Sequence, residues 1–351
     1  MPLPPAQARD AAIRHFASAR AEGGFTGGDG TYSIPLPGAR SAWVFGDSFV
    51  GGVQPDGSRS NDPSTFVRNS LVLQDGEQLR MVTGREDGVP VSVARPPGTA
   101  ENRAGLLPDE WYWPGHGSAA GDGLQVFMHR FRSPPDRDPA DTWDWQYRGT
   151  DVATFDAATG ALRTTTPVTP PGDVIWGTAV LDRGDHSYVY GTAGSDALVA
   201  RAPRGKLDAA DQWTFWDGSA WQRDAALAVR LDGPRVSNQF SVVDARDGGV
   251  LLVAQEGFDR TIRAWHADQP QGPFDAGRAV AEIPLQPADR HVYNAVAHPQ
   301  FTDPDGPGDL LVSFNVGGAD FMADHRSYRP GFLTVPGTAL PGDGASPPTP
   351  G

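Results

Sequence analysis

Residues 237–256 read SNQFSVVDARDGGVLLVAQE, and this stretch carries the plan of the whole chain. A polar cluster (Ser237, Asn238, Gln239) opens it, followed by an alternating apolar segment. Then come Asp247-Gly248-Gly249 and a strongly apolar run ending on Gln255 and Glu256. Alternation at period two is the mark of a half-buried strand, and an Asp/Gly step between two such runs signals a hairpin. The same order occurs four more times. Gly28-Asp29-Gly30-Thr31-Tyr32 leads into SIPLPGARSAWVFGDS, and Gly115-His116-Gly117-Ser118 into AAGDGLQVFMHRF. Trp176-Gly177-Thr178 leads into AVLDRGDHSYVYGTA, and Val292-Tyr293-Asn294 into AVAHPQFTDPDGPGDLLVSFNVGG.

The repeats start at Asp29, His116, Trp176, Asn238 and Asn294, at intervals of 87, 60, 62 and 56 residues. The long first interval holds a Pro/Gly-rich insertion at Gly88 to Pro108. A spacing near sixty leaves room for two further strands per unit, as in DVATFDAATGALRTTTPV (151–168) and in TIRAWHAD (261–268) with GRAVAEIPL (277–285). Five four-stranded units predict an all-β, five-bladed β-propeller, which protects its strand edges by radial repetition. A β-sandwich with irregular hairpins is the competing architecture. A helix is expected over Gln7 to Ala21, with Ile13 and Phe16 on one face. The chain then divides into an N-terminal extension (1–22), the propeller (23–336) and a Gly/Pro-rich tail (337–351).

Composition agrees with many short strands and tight turns. Gly (43) and Pro (33) exceed a fifth of the 351 residues, yet Trp, Tyr and Phe still supply 33 aromatics, which Gly/Pro-rich disordered chains lack. The net charge is −14, and Lys206 stands among scattered arginines, so no basic footprint for nucleic acid or an anionic membrane is present. The absence of cysteine removes disulfides, thiolate catalysis and Cys-based zinc sites. The N-terminus Met1-Pro2-Leu3-Pro4-Pro5 has no signal-peptide pattern. The acidic, cysteine-free, tailed composition still suggests a secreted bacterial protein, read here as a monomer.

In a propeller the innermost strands line a central channel. Polar groups at the repeat starts (Asp29, His116, Asn238 with Gln239, Tyr293 with Asn294) and at the hairpin ends (Asp47, Glu256) therefore converge at its mouth. An antiparallel hairpin places Asp29 beside Asp47, and Gln239 near Glu256. Hydrolysis of a glycosidic bond needs two carboxyls, one to protonate the leaving oxygen and one to act as base or nucleophile. Asp29 and Asp47 suit that task, with Glu256 a third carboxylate across the ring. Alternatively, aspartates in Gly-rich turns simply accept hydrogen bonds from turn amides. Trp113 and Trp176 are candidate platforms for sugar rings, with His116, Gln239, Asn238, Tyr293 and Asn294 completing the substrate-binding set. His298 reads as a packed strand residue, and His186 and His266 as surface residues near turns.

The motifs GGDGTYSIPLP, WVFGDSFVGG, NSLVLQDG, VIWGTAVLDRGDHSYVYGT, WTFWDGSAW and SNQFSVV occur in this order between Gly23 and about Gly318. On these motifs the chain resembles glycoside hydrolase family 183, bacterial endo-D-arabinanases first catalogued as a domain of unknown function. The resemblance implies cleavage of internal α-D-arabinofuranosyl linkages in mycobacterial arabinogalactan and lipoarabinomannan. It also implies Asp29 as general base, Asp47 as general acid (or the reverse), inversion at the anomeric carbon, and no catalytic metal or other cofactor. A structural cation in the channel is compatible with it. A non-catalytic carbohydrate-binding propeller and a furanosidase acting on another arabinan are the alternatives. Phe45-Gly46-Asp47-Ser48 also mimics the nucleophile block of Gly-Asp-Ser-Leu esterases, but no histidine here follows an aspartate by three residues, so the serine has no activating block.

Overall fold

The computed structural model describes residues 4–18, 24–60, 62, 65–101, 110–134, 145–170, 172–285, 291–303, 306–317 and 321–342. Five antiparallel sheets follow one another along the chain. Blade 1 consists of Tyr32–Leu36, Arg40–Phe45, Ser70–Asp75 and Gln78–Val82, and blade 2 of Trp111–Ala120, Gly123–Arg132, Gln146–Asp156 and Leu162–Pro167. Blade 3 starts with Ile175–Arg183, His186–Ala193 and Asp196–Pro203. Two short strands (Thr214–Trp216, Trp221–Gln222) extend it, and Arg230–Arg235 also pairs with the third strand. Blade 4 contains Phe240–Asp244, Val250–Gln255, Thr261–Ala267 and Arg278–Glu282. Blade 5 has three strands among the described residues rather than the expected four: His291–Ala297, Leu310–Gly317 and Gly331–Val335.

The core shows why these sheets form a ring. Each junction between neighbouring blades holds its own apolar cluster. Ile34, Tyr112 and Phe155 join blades 1 and 2, and Phe127, Trp176 and Val189 join blades 2 and 3. Tyr190, Phe240 and Leu252 join blades 3 and 4, and Val253, Val292 and Val312 join blades 4 and 5. The ring closes where Trp43 and Val72 of blade 1 meet Leu311 of blade 5. The inner strands put one face on each neighbouring junction, as Val250–Gln255 does with Leu252 on one side and Leu251 and Val253 on the other. Polar bonds reinforce the closure: Ser33 Oγ lies 2.6 Å from His298 Nδ1, and the Asn315 side-chain amide donates to Gly28 O and accepts from Gly30 N, both at 3.2 Å.

The helix spans Pro5–Ala17, shorter than the expected Gln7–Ala21; it starts on Pro5, whose ring suits a first helical position, and stops where Ser18 is extended. It is no detached extension. Phe16 is fully buried against Phe25, Trp43 and Phe45 at the closing junction, a burial that contributes about 1.5–3 kcal/mol. At the other end, Leu340 belongs to the cluster between blades 4 and 5, so the propeller's packing continues past 336. Residues 343–351 of the expected tail lie outside the described residues, as do residues 102–109 at the end of the insertion.

Three inner strands carry a bulge near their start, between Pro114 and Gly117, Trp176 and Ala179, and Tyr293 and Val296. Bulges turn a strand and re-aim its side chains, and they gather next to binding sites. The residues enforce this geometry. Gly177 has φ +90°, and a Cβ there would meet Phe127 at 2.1 Å; Asn294 takes the left-handed conformation itself, with φ +58°.

Candidate active site

A separate three-stranded sheet adjoins blade 1: Phe25–Gly28 pairs with Ser48–Val50, which pairs in turn with Phe66–Val67. Asp29 and Asp47 stand where this sheet meets the first hairpin of the blade. The Asp29 amide donates to Asp47 O at 3.2 Å, and the Gly46 amide donates to Asp29 O at 2.8 Å. The two aspartates are therefore neighbours, as the hairpin argument anticipated. Gly46 is required for the approach, since a Cβ there would sit 2.9 Å from Asp29 Oδ1.

The two carboxyls have different surroundings. Asp29 Oδ2 accepts from the hydroxyls of Tyr328 (2.7 Å) and Tyr293 (3.2 Å). Burial, together with the nearby charge of Asp47, pushes the Asp29 carboxyl up to about 7, even though the two tyrosine bonds favour its ionised form. Burial pushes both tyrosine hydroxyls up as well, with the charge of Asp29 adding to it. Asp47 accepts instead from donor-only groups: Arg68 Nη1 reaches Oδ2 at 2.7 Å and Trp113 Nε1 reaches Oδ1 at 2.8 Å. Both oxygens act as acceptors, an arrangement that fits a carboxylate.

Trp113 is held by edge-on contacts with Trp111 and Trp145 and by Phe131, and the Arg68 guanidinium lies over Trp111, 5.0 Å from the ring centroid. An aromatic wall thus flanks Asp47. The structure gives this predicted platform a second task, that of hydrogen-bond donor to a carboxylate.

Other predicted residues are placed differently. Trp176, expected as a platform, is 1 % exposed and packed on Trp213 and Phe215, with only its backbone carbonyl used, by His129 Nε2. It is core. His116 is a strut between three blades rather than a group aimed at ligand: its ring lies on Tyr32, Nδ1 accepts from the Val180 amide at 2.9 Å, and Nε2 faces Ser33 O at 3.3 Å. Burial lowers its pKa, and an Nδ1 that accepts identifies the neutral ring with the proton on Nε2. Gln239 is buried, with its amide nitrogen 3.0 Å from where a Gly30 Cβ would lie. The Gln239 neighbour across the ladder is Gln255, not Glu256, because Phe240 pairs with Ala254. Glu256 stands past the strand end, 52 % exposed and 3.7 Å from Arg235. Asn238 is exposed, and Asn294 is buried in its bulge.

Sequence reasoning missed Tyr328 and Arg68. Tyr328 lies beyond the last repeated hairpin and takes φ +59°, a strain of about 1–3 kcal/mol that its surroundings must hold in place. Arg59 supplies the hold. Its guanidinium donates to Thr26 O (2.9 Å), Phe321 O (2.8 Å), His325 O (3.0 Å) and Ser327 O (2.8 Å), while Tyr328 O accepts from the Gly28 amide at 2.8 Å. Tyr328→Phe removes a donor that favours ionised Asp29. The pKa of Asp29, followed by NMR titration of its carboxyl carbon, is therefore expected to move upward by about one unit, since a hydrogen bond to a charged group contributes about 1.5–3 kcal/mol. A titration that stays in place or moves downward would show that this bond does not tune Asp29.

Among the described residues no group of three His, Cys, Asp or Glu side chains gathers as a metal centre, and no helix is long and apolar enough to cross a membrane. His298 Nε2, Gln239 Oε1 and Asn294 Oδ1 are buried without a hydrogen-bond partner among the described residues.

The fold is a five-bladed propeller, with two aspartates held side by side at the start of its first blade. The chain belongs to the family described as "Domain of unknown function (DUF5005)", whose model matches residues 14–337. No curated protein sequence matches the chain. Among solved structures it is similar to a presumed hydrolase from Bacteroides ovatus, at 23 % identity over 92 % of this chain and 88 % of that one, with a TM-score of 0.73. It is also similar to the GH43_1 enzyme from Xanthomonas citri, at 13 % identity over 93 % of each chain, with a TM-score of 0.50. At these identities the likeness is one of fold.

Proposed function

We propose that this protein is a glycoside hydrolase whose reacting groups are Asp29 and Asp47. The observation that carries the proposal is a pair of adjacent carboxyls in opposite environments. One is pushed up to about 7 by burial and a like charge, and the other accepts from a guanidinium and an indole. Pairs whose surroundings separate them in this way divide acid and base roles between them. The likeness in fold to a GH43_1 enzyme supports the same class.

The roles follow from the partners. Asp29, with Oδ2 occupied by two tyrosines, carries its proton on Oδ1 and gives it to the departing glycosidic oxygen. Asp47, held by Arg68 and Trp113, takes a proton from the water that attacks the anomeric carbon, with the inversion that the resemblance implies. This is the reverse of the assignment that the resemblance put first. For substrate, the resemblance to family 183 favours internal α-D-arabinofuranosyl linkages of mycobacterial arabinan, and an acidic surface without a basic patch suits a neutral polymer.

Incubation with mycobacterial arabinogalactan and, separately, with plant arabinan tests the reading, with products separated by chromatography. Oligosaccharides are expected from the first and none from the second. Release from plant arabinan alone would move the substrate to L-arabinan, and binding of either polymer without release from both would leave a carbohydrate-binding propeller.

A further inference from the structure

A second aromatic surface leads away from the carboxyl pair, starting at Asp29 where Trp113 starts at Asp47. Tyr293 touches Asp29 through its hydroxyl. His291, two residues earlier on the same strand face, has its ring centroid 5.6 Å from that of Tyr293. Phe258, in the turn after the second strand of blade 4, lies 5.1 Å beyond His291 and is edge-on to it. Phe258 is 58 % exposed, more than any other exposed large hydrophobic residue among those described.

We propose that Phe258 and His291 form a sugar-binding subsite that holds a ring of the polysaccharide at least one unit removed from the bond cleaved. Three observations support this occupant. The row is continuous with the site, since each ring touches the next until Tyr293 reaches Asp29. The platform is also built into the sheet. Gly317 is the cross-strand partner of His291, and a Cβ at 317 would lie 2.2 Å from His291 Nε2, so only glycine lets the imidazole lie across the neighbouring strand. Finally, a half-buried aromatic row ending on an exposed Phe258, beside polar groups, matches a carbohydrate chain, which offers apolar C–H faces and hydroxyls along one length. Glu256, two residues before Phe258, is exposed with Arg235 beside it and supplies hydroxyl partners there. This gives the third predicted carboxylate a place in binding rather than in the reacting pair.

The inference rests on the proposed hydrolase reading, and its test separates the two. The measurement is kcat/KM for the shortest arabinan oligosaccharide that the wild type cleaves and for a chain several units longer. In Phe258→Ala and His291→Ala the ratio of long to short is expected to fall about tenfold, equivalent to about 1.4 kcal/mol of binding, and Phe258→Trp is expected to restore it. A ratio that stays within about twofold of wild type in both alanine variants would overturn the subsite and leave the hydrolase reading intact. An equal loss on both substrates would overturn it too, because a merely structural role acts on every substrate alike. A wild type that cleaves no oligosaccharide would remove both proposals.

Discussion

On the proposed reading, Asp29→Asn and Asp47→Asn are each expected to lower kcat by about a thousandfold on the polymer that the wild type cleaves, within the range of about 10²–10⁴ typical of a positioned acid or base. Asparagine keeps the shape of each side chain while removing its charge and its proton chemistry. At position 29 the amide oxygen can still accept from Tyr328 and Tyr293, so the ring closure around Gly28 and Asn315 is undisturbed. At position 47 the oxygen can still accept from Trp113, but the amide NH2 faces Arg68, where two donors meet. Some local disorder is therefore expected in Asp47→Asn, and Arg68→Ala in the wild-type background serves as its control. If the two aspartates act as one unit, the double variant is little slower than either single one. A single Asn variant retaining more than about a tenth of wild-type kcat would remove that residue from the chemistry, for so small a loss lies below what acid–base catalysis contributes. Circular dichroism and a melting curve establish that the fold survives.

Trp176→Ala is expected to destabilise the protein by about 3–5 kcal/mol, the cost of truncating a large buried aromatic side chain, read from the shift of the denaturant midpoint. The indole fills the junction between blades 2 and 3 against Trp213 and Phe215, and its N–H is buried without a partner. Trp176→Phe therefore sacrifices no hydrogen bond and recovers most of the loss. Trp113→Phe behaves in the opposite way: stability changes little, while the donor to Asp47 Oδ1 is gone and kcat falls. Wild-type stability in Trp176→Ala, accompanied by weaker substrate binding, would return Trp176 to the platform role that its sequence context suggests.

These two tryptophans mark the boundary between what was readable and what was not. Both stand near the start of a repeat, beside Gly and a polar residue, and no local signal separates them. The difference arises from tertiary packing, which covers Trp176 with Phe127 of blade 2 and with Trp213 and Phe215 from the outer part of blade 3, but leaves Trp113 beside an aspartate 66 residues away in sequence. The polar starts themselves carried two messages. Gly115-His116-Gly117, Trp176-Gly177-Thr178 and Tyr293-Asn294 are where inner strands bulge, so part of their unusual composition serves backbone geometry rather than ligand. This is why His116 proves to be a strut.

The number of blades, the hairpins and the pairing of Asp29 with Asp47 are determined by the sequence itself, because period-two alternation and turn chemistry act over a few residues and repeat five times. The environment of that pair belongs to the tertiary structure. Tyr328 reaches Asp29 from 299 residues away, and only closure of the ring, with Arg59 binding the last loop to the first strand, brings them together. A contact of that length has no period and no local pattern, so Asp29 and Asp47 are alike in the chain and become unlike only in the fold.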